Sequence, residues 1–113
     1  MGNIDEVWKD FSPNSRIYDL NLIDKDYNNL TDHQKYVGEV FSKYDLISID
    51  EVGYPDYIDY EGDGGTVLAW YNMIVKNKKT KKNITLKFHS QHDFNEEGII
   101  VTEYLYYNAN LLK

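Results

Sequence analysis

The chain has no cysteine, which excludes a disulfide framework, a thiol nucleophile and a thiolate metal site. Basic charge is scarce as well. Twelve lysines and arginines stand against nineteen acidic residues, a formal net charge of −7, and a field of that sign disfavours nucleic acid and anionic membrane as partners. No apolar run approaches the roughly 18 residues that a membrane-spanning helix needs. The opening Met1-Gly-Asn-Ile-Asp-Glu6 lacks the basic and apolar regions of a signal peptide, so a cytoplasmic location is expected. Histidine is limited to His33, His89 and His92. The last two are three apart in a strand and point to opposite faces, so no metal site is expected. No glycine-rich phosphate loop precedes a helix and no Gly-x-Ser-x-Gly elbow occurs, and no cofactor is expected. The basic hairpin Lys76 to Lys82 has no interleaved aromatics, which fits a solvated turn better than a nucleic-acid site.

Aromatic residues, by contrast, are plentiful. Eleven tyrosines occur in 113 residues, a length that suits one domain with a single core. Gly62 to Asn108 carries most of the aromatic side chains and reads as three long strands, Thr66 to Lys76, Ile84 to Phe94 and Ile99 to Asn108, joined by turns at Lys76 to Asn83 and Asn95 to Gly98. Upstream, Ile4, Val7, Trp8 and Phe11 recur at helical spacing up to Ser12-Pro13-Asn14. Arg16 to Leu22 alternates as a strand does. Thr31 opens a Thr-x-x-Gln capping box, and Tyr36, Val37, Val40, Phe41 and Tyr44 follow at three- and four-residue intervals, which predicts a helix with His33 on its solvent side. A strand from Leu46 to Val52 ends at Gly53-Tyr-Pro55. The acidic run Asp56 to Gly65 does not match calcium-loop spacing and is expected to be a tight surface turn. Helix, strand, helix, strand and three antiparallel strands make an α+β plan.

Several pieces of this chain occur in a telling order: Gly64-Gly-Thr-Val-Leu-Ala-Trp70, the hairpin Lys78-Lys-Thr-Lys-Lys82, Leu86-Lys-Phe-His89, Glu97-Gly-Ile-Ile-Val101 and Tyr104-Leu-Tyr-Tyr-Asn108. Over about the last 50 residues this resembles the C-terminal half of the SnoaL-like branch of the nuclear transport factor 2-like superfamily, in which a Val-Leu-Ala-Trp strand, a Lys-Thr-Gly-Lys hairpin, a strand bearing histidine and an aromatic last strand recur. The resemblance implies a cystatin-like cone, a strongly curved antiparallel sheet packed against N-terminal helices around a cavity, with the first long helix short or missing here. It also implies a small-molecule ligand. Polyketide cyclases of the family place an aspartate general base at the end of the last strand. Asn108 holds the matching position, and an amide cannot take up a proton there.

Alternation places Thr102, Tyr104, Tyr106 and Asn108 on one face of the last strand and Val101, Glu103, Leu105 and Tyr107 on the other. The first set is expected to face the cavity, and the second to form an outer surface through which the chain pairs as a homodimer. On the preceding strand Leu86, Phe88, Ser90, His92 and Phe94 share the inward face. Asp19 and His92 form the candidate acid-base pair, since imidazole titrates near neutrality and a carboxylate can orient it. Tyr18, Trp70, Phe88, Tyr104, Tyr106 and Asn108 are the candidate ligand-binding residues. Trp70, Tyr71, Tyr104 and Tyr106 offer rings for stacking and hydrogen bonds for a carbonyl or enolate. Three classes of function stay open: a noncatalytic domain binding a small, largely apolar molecule; an isomerase, cyclase or hydrolase using Asp19, His92 and tyrosines; and a dimerising module with a filled interior.

Overall fold

The helix predicted to follow Thr31 begins one residue before it, and its cap is Asn29. In a computed structural model, which describes residues 8–19, 26–60 and 64–112, Asn29 is extended and its side chain accepts a 2.8 Å hydrogen bond from the amide of Asp32. That bond satisfies an amide that has no partner within the helix. Helix α1 runs Leu30–Lys43. Its stripe at three- and four-residue spacing turns His33, Tyr36, Val37, Val40 and Phe41 towards one face of a sheet.

Among the described residues the sheet has seven strands: β1 Phe11–Tyr18, β2 Asn28–Asn29, β3 Tyr44–Glu51, β4 Asp56–Tyr60, β5 Gly64–Asn77, β6 Asn83–Phe94 and β7 Ile100–Tyr106. It is curved and mixed. The order is β2-β1-β7-β6-β5-β3, with β4 also paired to β5. The long antiparallel array β5-β6-β7 is the one anticipated from the alternating runs. Asn77 shapes its first turn, accepting from the amides of Lys79 and Thr80, and Lys81 takes a positive φ of 64°, where the resembling family carries glycine. Asn95 shapes the second turn by accepting from the amides of Glu97 and Ile99, and Gly98 supplies the left-handed residue.

Three expectations need correction. The amphipathic stretch Ile4 to Phe11 lies partly outside the described residues. Its described part is a turn at Trp8, Lys9 and Asp10, and Phe11 already belongs to β1. That strand runs through Ser12-Pro13-Asn14 on an irregular register and pairs in parallel with β7, so the sheet is not purely antiparallel and one helix, rather than several, covers it among the described residues. The acidic run is not a simple turn. Asp56 to Tyr60 pairs residue by residue with Leu68 to Gly64, and Gly64, at φ +81°, sits so close to the Phe94 carbonyl that a Cβ would collide with it.

The core lies beneath α1. Tyr44, Val75 and Leu86 are buried, with Val40, Leu46, Met73, Ile84 and Leu112 packed around them. Leu112 comes from a 3-10 turn, Ala109–Leu112, that follows β7. A tail with two leucines is thereby folded back over the end of the core.

Candidate functional site

Between α1 and the inner face of the sheet is a cavity of about 180 Å³. Val37, Val40 and Phe41 of the helix face Met73, Leu86, Phe88 and Leu105 of the central strands, and Leu112 closes one side. Asp19, His33, Tyr36 and Tyr107 also border the space, yet the surface they present to it is nearly all carbon. Their polar atoms are turned towards one another.

Those atoms form a chain of contacts that continues away from the cavity. The Tyr36 and Tyr107 hydroxyls lie 3.0 Å apart, and Tyr107 donates to Asp19 Oδ1 at 2.6 Å. His33 stands between two carboxylates, its Nδ1 3.8 Å from Asp19 Oδ2 and its Nε2 3.2 Å from Glu103 Oε1. Neither approach has hydrogen-bond alignment. Glu103 Oε2 meets His92 Nε2 at 2.5 Å. Trp8 packs edge-on against the His33 ring and Phe11 edge-on against His92, which limits water at the two imidazoles.

Local electrostatics follow from burial and neighbours. Burial pushes the Glu103 carboxyl up, but the contacts and charges of His33 and His92 outweigh it and hold the group at about 2. Burial, reinforced by the hydrogen bond to Asp19, pushes the Tyr107 phenol well above its usual range, and burial raises Tyr36 too. Both phenols therefore keep their protons at neutral pH. Among the described residues no three metal-ligating side chains are arranged to hold an ion.

No protein-family model matches the chain, and no curated protein matches it. Solved structures do. A Mesorhizobium loti protein assigned as a SnoaL-like polyketide cyclase superposes with a TM-score of 0.66 at 14% identity, over 93% of this chain and 85% of that one. A Bacillus subtilis protein assigned as an isomerase gives 0.66 at 15%, over 89% and 71%. SalBIII, an epoxide hydrolase/cyclase-like enzyme with a role in pyran ring formation in the polyether salinomycin, gives 0.65 at 12%, over 96% and 80%. The chain shares the fold of these proteins, as the resemblance to the SnoaL-like branch led one to expect.

Within this SnoaL-like fold the predicted site residues divide. Asp19 and Phe88 border the cavity. His92 is on the inner face, but it reaches Asp19 only through Glu103 and His33. Tyr71 stacks on Phe88 at 5.0 Å. Trp70, Tyr104, Tyr106 and Tyr18 are on the opposite face. There Trp70, His89 and Tyr106 stack in a row across β5, β6 and β7, and Tyr18 stacks on Tyr104 at 4.7 Å. Asn108 is exposed past the end of β7, where its side chain accepts from the amide of Asn110. The alternation along β7 was right and its phase was reversed. Glu103, Leu105 and Tyr107 turn inwards because the helix covers that side, so Leu105 and Tyr107 are not part of an outer pairing surface.

His33, Glu103 and Tyr107 went unrecognised as inward groups. His33 was expected at the surface but is only 2% exposed. A signal was present: His33 lies three and four residues before Tyr36 and Val37 on the same helical stripe. For Glu103 the signal was its company, since Leu105 shares its face.

Proposed function

We propose that this domain binds a small, largely apolar molecule in the cavity between α1 and the sheet. The observation that carries the reading is the cavity wall, about 180 Å³ of space bounded almost wholly by carbon. An apolar cavity of roughly 150 Å³ lined by aliphatic and aromatic side chains is large enough to hold benzene. Each apolar ligand atom moved there from water gains the ordinary hydrophobic free energy. Saturating benzene is expected to raise the thermal midpoint of the wild-type chain by mass action. Val40→Trp, which fills the space from the helix side, should abolish the shift while leaving the chain folded. A wild-type midpoint indifferent to benzene would overturn the reading.

Proton-transfer catalysis is the second reading. It is favoured by one observation, that Asp19 and His33 stand at the edge of the cavity with Tyr107 bonded to the former. On this reading Asp19 is the base, Tyr107 the relay, and His92 joins through Glu103 and His33. The cyclase and isomerase assignments of the similar structures point the same way, although at 12–15% identity their likeness is one of fold.

The outer face supports a homodimer. Trp70 and Tyr106 are 40% and 50% exposed beside His89, and a row of uncovered rings suits a self-complementary contact. Sedimentation should report a dimer for the wild-type chain and a monomer for Tyr106→Asp. A monomeric wild type would sink this part of the proposal.

A further inference from the structure

The hydrogen-bond order at the polar edge of the cavity decides what a ligand can be offered there. Tyr107 has one hydroxyl proton, and it lies in the 2.6 Å bond to Asp19, a short bond of the kind made to an ionised acceptor. At the 3.0 Å contact with Tyr36, Tyr107 can then only accept. Tyr36 must donate, and its single proton is used as well. The chain Tyr36 to Tyr107 to Asp19 is closed, with each bond polarising the next. Little of the polar surface of these residues opens on the cavity.

We propose that the part of the ligand held in this cavity is bare hydrocarbon, an aromatic ring or a compact branched aliphatic group, and that the cavity selects against any hydroxyl or carbonyl within it. The proposal rests on the binding reading above and narrows it to a class of ligand. A carbonyl brought into the space finds no proton open to it: Tyr36 gives its own to Tyr107, and His33 Nδ1, although without a hydrogen-bond partner, is itself buried. A hydroxyl meets almost no polar surface there. Either group otherwise loses its water and gains no partner. Aliphatic and aromatic walls such as Val40, Phe41, Leu86 and Leu105 serve a methyl or ring equally well. The tyrosine and carboxylate chain thus closes one edge of the cavity and fixes α1 to the ends of β7 and β1 while offering the occupant almost no polar surface.

The test is calorimetric titration of the wild-type chain with three probes of nearly equal size: toluene, phenol and benzaldehyde. Toluene is expected to bind at least tenfold more tightly than phenol or benzaldehyde, with a negative heat-capacity change. Phenol or benzaldehyde binding as tightly as toluene, or more tightly, overturns the hydrocarbon assignment and leaves the binding reading standing. Failure of all three to bind overturns the binding reading itself. Titrating toluene into Val40→Trp ties the affinity to this cavity: its binding should be lost in the variant, and binding that persists there places the probe elsewhere and overturns the assignment.

Discussion

Glu103→Gln is expected to lower the unfolding free energy by about 3 kcal/mol, on the order of 10 °C in the thermal midpoint for a chain of this size. The reason is position. Glu103 is 6% exposed and is the acidic centre between His33 and His92. An amide of the same shape removes the charge that both imidazoles face, and His33 is then left in a buried setting against Asp19 alone. The pH dependence separates this from ordinary loss of packing. The native carboxyl is held at about 2 against an ordinary value of 4.5, so it binds its proton less tightly than in the unfolded chain. Its stabilisation is complete above about 4.5 and is lost as pH falls from there towards 2, about 3 kcal/mol in all. Denaturant unfolding of wild type and Glu103→Gln between pH 7 and pH 2 should therefore show two curves that converge in acid. Parallel curves, or a gap at pH 7 under 1 kcal/mol, would show that the carboxylate is not held this way.

Leu86→Ala is expected to cost about 3 kcal/mol and to change what the cavity accepts. Leu86 is 1% exposed, packs with Tyr44 and Val75 in the core, and also borders the cavity. Deleting its branched end loses transfer free energy and leaves a void that adds to space already present, so collapse around it offers little relief; the usual range for such a deletion is about 2–5 kcal/mol. The enlarged cavity should admit a bicyclic hydrocarbon. Naphthalene is expected to raise the midpoint of Leu86→Ala by more than that of wild type, and benzene by less. An equal response of both proteins to naphthalene would mean that Leu86 does not bound the binding space.

The elements could be read from local signals because those signals were local in origin. Asn77 and Asn95 with Gly98 turn the chain between long alternating runs, and both hairpins lie where such runs and turn residues place them. The stripe from Tyr36 to Tyr44 foretold α1. Beyond that, β4 was hidden in an acidic run whose residues are all exposed, so no apolar face announced it. Parallel pairing of β1 with β7 joins segments some ninety residues apart, and nothing in either run specifies its partner.

The site was legible only in part. Asp19 and Phe88 border the cavity and His92 is on its face, but Tyr104, Tyr106 and Trp70 lie on the other side of the sheet from the one expected. Period-two patterning separates a strand into two sets without saying which one the rest of the molecule will cover. When both sets of β7 contain tyrosines, composition does not break the tie. The decision came from α1, which lies over Leu105 and Tyr107 and leaves Tyr106 beside His89 and Trp70 outside. In the same way His33 became an inward group only once its helix had a sheet to lie on. Turn chemistry and periodicity are properties of neighbouring residues and are written along the chain, and they settled the three long strands, both hairpins and the helix. The apolar cavity and the run of contacts from Tyr36 to His92 depend on which faces meet across distant segments, and folding alone decides that.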